Sequence, residues 1–283
     1  MSVGNLVAGQ QFGDYVIESL LGQGGMAQVY QAVDPNLERR VAIKIINPGV
    51  AEDPEYTKRF KREAQAVAKL NHPNIVSVYQ FGVVENIYFM AMTFIDGVDV
   101  EWLINDYLKD NRVLSYPDTL KILSQISSAL DYAHGQGVIH RDVKPSNMLV
   151  NKQGRAFLTD FGLVRDMAIP TLGEIFGSPE YISPEQAINS AYAVPQSDLY
   201  SLGVVLFQML TGTLPFSGGH PNDIAIRHIE EAPPSPREFN PNVSPEVEAV
   251  VMRMLEKKPE HRFQTGAEFF NALRQAVKAT AGS

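Results

Sequence analysis

The run His140-Arg141-Asp142-Val143-Lys144-Pro145-Ser146-Asn147 is followed, after one short hairpin's length, by Asp160-Phe161-Gly162. Together the two segments hold two carboxylates, an amide and a lysine. That set fits phosphoryl transfer from a nucleoside triphosphate, where catalysis is mostly positioning and electrostatics. The chemistry needs a residue to orient the attacking hydroxyl, oxygen ligands for magnesium, and positive charge against the phosphates. Asp142 takes the first role by accepting or orienting the substrate hydroxyl proton. Asn147 with Asp160 takes the second, and Lys144 the third, against the transferring phosphate.

These segments resemble the signature of the protein-kinase family, and further parts follow in the family's order. Gly22-Gln23-Gly24-Gly25-Met26-Ala27-Gln28-Val29 is a glycine-rich turn between strand-like stretches at Tyr15 to Leu21 and Val29 to Val33. Residues without a Cβ let backbone N–H groups approach phosphate oxygens; taken alone, such a loop is equally an ordinary hairpin turn. The family has a third glycine where this chain has Ala27. Val41-Ala42-Ile43-Lys44 alternates like a strand and ends in Lys44, which by itself reads as a solvated surface lysine. Phe60, Ala64, Val67 and Leu70 recur at helical spacing with Glu63 beside the stripe. The family pairs such a glutamate with the strand lysine to orient it onto the α- and β-phosphates; otherwise Glu63 is a flanking surface carboxylate. Gly177 to Glu185 resembles the end of an activation segment, with Ser183 in place of the usual alanine of Ala-Pro-Glu. Asp198-Leu199-Tyr200-Ser201-Leu202-Gly203 resembles the central helix of the large lobe, and Arg262 matches the arginine that pairs with Glu185, both in structural roles.

The resemblance covers about Tyr15 to Ala276 and implies an α+β, bilobal protein-kinase fold: a small lobe of five antiparallel strands with one main helix, and a large, mainly helical lobe. The expected organisation is a lead at 1–14, a small lobe at 15–92, a hinge at 93–97, a large lobe at 98–277 and a tail or linker start at 278–283. Strands are expected near 15–22, 27–34, 39–46, 76–83 and 86–93, with a helix near 55–70. In the large lobe, Pro117 begins a helix ending at Gly135 or Gly137, and others follow near 197–212, 221–231, 244–256 and 265–279, started by Pro221, Pro245 and a Thr265 cap. Ala232-Pro233-Pro234-Ser235-Pro236 reads as a stiff connector.

The family register also assigns the adenine slot. Met92 is the gatekeeper, the Thr93 carbonyl and Ile95 amide contact the adenine edge, and Leu21, Val29 and Ala42 lie above the ring with Leu149 below. Gly22, Gly24, Gly25 and Lys44 handle the phosphates. The implied cofactors are ATP and Mg2+. His140 packs against Phe161 in the family and is assigned no chemistry.

Composition sets bounds on all of this. At 283 residues the chain is long enough for two cores. It has no cysteine, which excludes disulfides, thiolate metal sites and cysteine nucleophiles and fits a reducing compartment. A net charge of -8 argues against a nucleic-acid partner. No run of 18 to 20 apolar residues is present for a membrane crossing, and no signal peptide is visible at the start. The expectation is a cytoplasmic chain without a membrane anchor of its own, although a longer parent protein could be membrane-tethered, as many bacterial relatives are.

Lys144, two residues after Asp142, resembles the serine/threonine branch, and Ser183-Pro184-Glu185-Gln186 resembles the bacterial members of it. The partners implied are proteins with serine or threonine acceptors, with self-association through the small lobe as in some relatives. Ser178 stands where the family has a threonine bonded to the catalytic aspartate and lysine. Thr171 is the one hydroxyl between Gly162 and Phe176, and Arg141 precedes the catalytic aspartate. This suggests autophosphorylation at Thr171 with Arg141 binding the phosphate, helped by Arg165 or the basic run Lys58, Arg59, Lys61 and Arg62. The alternative is an unmodified loop held by Ile169, Leu172 and Ile175. Two other functional classes compete: a pseudokinase binding module, which would lose Lys44, Asp142 or Asp160, and a small-molecule kinase, which would lack Gly177 to Glu185.

Overall fold

The computed structural model describes residues 6–24, 27–46, 54–161 and 179–281. The chain divides into two compact units, Met1–Asn71 with Ile75–Asp96, and His72–Asn74 with Gly97–Ser283.

The first unit is built on one antiparallel sheet of β1 (Gln11–Phe12), β2 (Tyr15–Gln23), β3 (Ala27–Asp34), β4 (Arg39–Ile46), β5 (Val78–Val84) and β6 (Ile87–Thr93), in the order β1-β2-β3-β4-β6-β5. One helix, α1 (Pro54–Val67), joins it. Six strands replace the expected five because the lead folds onto the sheet. Gln11 and Phe12 pair with Val16 and Tyr15, and the Phe12 ring meets Phe89 edge-on at 5.4 Å. Leu6 packs against the same cluster and donates its N–H to the Tyr30 hydroxyl.

Register decides which side chains share a face, because residues directly opposite across an antiparallel pair project the same way. Tyr30, Ile43 and Ala91 lie opposite one another in β3, β4 and β6, and all three are fully buried in the core with Ile17, Val41, Ile45 and Phe89. The intervening residues, Val29, Lys44 and Met90, and Ala42 opposite Met92, make the other face. From Val41 onward β4 is buried on both sides, so Val41–Ile46 reads as an apolar run broken by Lys44 alone.

The second unit opens with β7 (Gly97–Asp99) and α2 (Val100–Lys109), capped by the Asp99 carboxylate accepting from the Trp102 N–H at 2.7 Å. α3 (Tyr116–Gly135) starts after a Ser115 cap and buries Ile122, Leu123, Ile126, Ala129, Leu130 and Ala133. β8 (Met148–Asn151) and β9 (Ala156–Leu158) complete a three-stranded sheet with β7. There follow α4 (Pro184–Ile188), α5 (Pro195–Thr211), α6 (Pro221–Glu230), α7 (Pro236–Phe239), α8 (Pro245–Met254) and α9 (Gly266–Ala281). α5 is the central helix of this unit, buried from Ser197 to Phe207, and it ends at Gly212 in the left-handed conformation, φ +75°. Gly203 lies against α8, where a Cβ would stand 2.5 Å from the Met254 Cβ.

Several boundaries differ from the sequence expectation. Gly97, assigned to the hinge, is already paired with Asn151, and its missing side chain is required there, since a Cβ would fall 2.0 Å from the Val150 carbonyl oxygen. His72–Asn74 lies inside the span given to the small lobe but packs with the second unit. His72 stacks on Tyr132, and the Asn74 amide donates to Gln125 and to the Ala156 carbonyl. The connector at 232–236 gives way to the short α7, capped by Ser235. Lys278 to Ala281, assigned to a tail, continues α9, with Thr280 bonded to Ser244 at 2.7 Å.

Candidate functional site

In the second unit, residues 140–147 form a loop held from beneath by Asp198, near the start of α5. Asp198 is buried, and its two carboxylate oxygens accept the backbone N–H groups of His140 at 2.8 Å and Arg141 at 2.7 Å, with the His134 ring at 2.7 Å. Arg141 takes a left-handed φ of +66°. That conformation is uncommon outside glycine and costs free energy, here offset by aiming consecutive N–H groups at one carboxylate. Gln186 of the α4 capping box closes the loop from the other side, donating to the Arg141 carbonyl at 3.1 Å.

Asp142 projects from this loop, half-buried, with Lys144 Nζ at 3.2 Å and the Asn147 amide nitrogen at 3.1 Å from the same oxygen, Oδ2. Asn147 Nδ2 also donates to the Asp142 carbonyl at 2.8 Å. The nitrogen of Asn147 is thus committed to Asp142, and its amide oxygen is the atom suited to a hard cation. The Thr159 N–H donates to the Asn147 carbonyl at 3.0 Å, so Asp160 stands one residue beyond a direct link to Asn147. Asp160 also has a left-handed φ, +56°. A carboxylate and an amide oxygen are the donor types magnesium takes, and phosphate oxygens and water would complete the shell. Among the described residues no group of three or more histidines and carboxylates could hold an ion by itself.

His140 is fully buried, its ring tilted against Phe161 with centroids 4.5 Å apart and its nitrogen Nε2 on the Thr159 carbonyl at 2.9 Å. Burial pushes its pKa down, against the opposing pull of Asp198, Asp142 and Asp160. Packed and bonded this way, the ring braces the loop. Glu185 and Arg262 pair as expected, through two bonds of 2.8 and 2.9 Å, and Ser197 Oγ adds a third at 2.6 Å. Burial pushes the Glu185 carboxyl up, but the bonds and charge of Arg262 outweigh it and hold the group below its ordinary value.

The first unit carries the other candidates on the sheet face opposite its core. Val29, Ala42, Lys44 and Met92 lie there side by side in register. Leu21 and Gly22 are exposed near the end of β2, beyond a register shift between Leu20 and Gly22. At Gly22 an added Cβ would meet nothing within 4 Å, and at Gly24 only the Ala27 carbonyl at 3.8 Å; neither has a positive φ. Among the described residues nothing crowds these two positions, which leaves their backbone open to close approach, as the resemblance implies for the phosphates. Thr93 is tied to Ser77 by its N–H at 2.9 Å and to the Tyr79 hydroxyl at 3.0 Å. Ile95 is half-buried before the end of this unit, and Leu149 is half-buried opposite Asp99 in the second unit.

Gly25, Arg165, Ile169, Thr171, Leu172, Ile175 and Ser178 lie outside the described residues, as does the side chain of Glu63, although Glu63 falls within α1 as its periodicity implies. Sequence reasoning gave Asp198 only a place in the central helix. Its role as anchor of two consecutive loop amides had no local signal, because the partners lie 57 and 58 residues away.

Comparison with known proteins is consistent with this arrangement. The family described as protein kinase domain matches residues 15–275. Serine/threonine-protein kinase PrkC of Bacillus subtilis is 38% identical over 282 residues, covering 99% of this chain and 42% of that protein. Serine/threonine-protein kinase PknB of Mycolicibacterium smegmatis is 38% identical over 263 residues, covering 90% of this chain and 41% of that protein. The chain therefore spans about two fifths of the length of the curated relatives it matches. The crystal structure of the Mycobacterium tuberculosis PknI kinase domain superposes with a TM-score of 0.76 at 29% identity, covering 96% of this chain and 99% of that one.

Proposed function

We infer that this chain, which belongs to the protein kinase family, transfers the γ-phosphate of ATP to serine and threonine hydroxyls of proteins. The observation that carries the reading is the Asp142 carboxylate, fixed by Lys144 and Asn147 on a loop whose backbone is bolted to buried Asp198. A carboxylate so oriented can accept the hydrogen bond of an acceptor hydroxyl and take its proton as the oxygen attacks. Lys144, beside it, supplies positive charge against the transferring phosphoryl group. Asn147 and Asp160 would hold magnesium, which neutralises charge on the phosphates when bound. In the first unit, Gly22, Gly24 and Gly25 offer backbone N–H groups to the phosphates and Lys44 anchors the α- and β-phosphates, oriented by Glu63. Within the first unit the adenine is taken by Leu21, Val29 and Ala42, with Met92 as gatekeeper and the Thr93 carbonyl and Ile95 amide on its edge.

The pseudokinase alternative has no feature in its favour, because Lys44, Asp142 and Asp160 are all retained. We further propose that Thr171 is the autophosphorylation site, with Arg141 receiving the phosphate, and that Ser178 bonds to Asp142 and Lys144. Radiolabelled transfer from ATP to a randomised peptide library, followed by phosphoamino-acid separation, tests the acceptor assignment. Label on serine and threonine is expected; label confined to tyrosine would contradict it. Phosphopeptide mapping of an active preparation unmodified at Thr171 would remove the regulatory part alone.

A further inference from the structure

The turn Pro179–Tyr181 leads into α4, and its backbone is held by two side chains from different helices. Ser201 Oγ of α5 donates to the Tyr181 carbonyl at 2.6 Å. His228 Nε2 of α6 lies 3.0 Å from the Glu180 carbonyl. A carbonyl can only accept, so Nε2 carries the ring proton, and Nδ1 is left to accept from the Tyr200 hydroxyl at 2.8 Å. His228 is fully buried and wedged between rings, with Phe216 edge-on at 5.0 Å and Tyr200 at 5.6 Å. Lys257 closes the cluster, with Nζ over the Phe216 ring and 2.8 Å from the His228 carbonyl. Tyr181 is further tied by its own hydroxyl to Gln208 at 2.7 Å.

The chain of bonds from Tyr200 through His228 to Glu180 ends on the Pro179–Tyr181 backbone, inside the Gly177 to Glu185 stretch that resembles the end of an activation segment and separates a kinase acting on proteins from one acting on small molecules. We propose that His228 is a positioning residue for the protein acceptor: it fixes the Pro179–Tyr181 backbone, and so sets how well a serine or threonine segment docks, without acting on ATP. The proposal rests on the kinase reading above. A buried histidine with both nitrogens spent on neutral partners holds a fixed orientation, which a surface contact would not.

The test is steady-state kinetics on a serine-containing peptide selected from a randomised library, with ATP and peptide varied separately. His228→Phe keeps an aromatic ring but removes both bonds. It is expected to raise the peptide KM about tenfold, as losing one positioned bond does, with kcat and the ATP KM within about twofold. His228→Gln restores a donor toward Glu180 and should recover most of the loss. Ser201→Ala, acting on the neighbouring carbonyl, should give the same split and serves if His228→Phe does not fold. A peptide KM unchanged in folded variants, or a parallel loss in kcat and both KM values, overturns the role. Wild-type protein that transfers phosphate to no peptide overturns the kinase reading itself, and the role with it.

Discussion

Asp142 is the residue proposed to face the acceptor hydroxyl, and Asp198 holds the backbone of the loop that carries it. Asp198 accepts two amide N–H groups and lies against the His134 ring with almost no solvent exposure. Replacing it by asparagine turns one acceptor into a donor facing a donor. Asp198→Asn is expected to destabilise the protein by about 3 kcal/mol, the scale for losing buried charge-assisted bonds, with turnover falling in parallel. Thermal unfolding measured beside activity checks this, and a variant of wild-type stability and rate would refute it. Lys44 interrupts the apolar run from Val41 to Ile46 and shares a sheet face with Val29 and Ala42. Lys44→Met removes charge where burial alone favours methionine. The fold should be unharmed while turnover drops by about 10² or more, because anchoring of the phosphates is lost. Circular dichroism and initial rates together separate the two effects.

At the scale of elements, the buried Arg262–Glu185 pair ties the start of α4 to the turn before α9. Arg262 has no exposed surface and also donates to the Glu256, Gln196 and Lys257 carbonyls, so its removal strands four acceptors. Arg262→Met should cost about 3–5 kcal/mol, the range for breaking one side of a buried pair, read as a lowered denaturation midpoint. Gly97→Ala should also lower the thermal unfolding midpoint, because all three atoms crowding the new Cβ belong to backbone that cannot turn away. The long helices were legible in sequence because periodicity and caps are local: Pro221, Pro245 and Thr265 do stand at helix starts, Thr265 Oγ1 accepting from the Glu268 N–H at 3.1 Å. α2 has no counterpart among the sequence expectations, which place no element between the hinge at 93–97 and the helix begun by Pro117, although Asp99 is a serviceable cap. β8 and β9 have four and three residues, too few to display alternation, and β8 pairs with β7 some fifty residues earlier in the chain. The lead was misread for the same reason, its two-residue strand resting on a tertiary contact between Phe12 and Phe89. Of the candidate site, the residues proposed for the chemistry, Asp142, Lys144, Asn147 and Asp160, sit in short local motifs, whereas the bonds by which Asp198 holds the loop span 57 and 58 residues and leave no local sign.

For the whole molecule, stability should depend on pH through groups buried in their neutral forms. Burial, reinforced by Lys257, pushes the His228 pKa down to about 3 from 6.5. A depressed folded value means that the unfolded chain takes up the proton first. The contribution of His228 is therefore complete above pH 6.5 and is lost as pH falls from there toward 3. Wild type should lose stability below pH 6.5 more steeply than His228→Gln, by up to about 1.4 kcal/mol per pH unit, and parallel curves would contradict the assignment. No helix among the described residues is long and apolar enough to cross a membrane, and the chain matches about two fifths of its relatives' length. The most direct measurement is phosphate incorporation by intact mass after incubation with ATP and Mg2+, for wild type and Asp142→Asn side by side, with binding of a fluorescent ATP analogue measured on both. The account predicts transfer by the wild type, a loss of about 10²–10⁴ in rate for Asp142→Asn, and equal nucleotide binding. Equal transfer by both proteins, or nucleotide binding with no transfer by either, would contradict it.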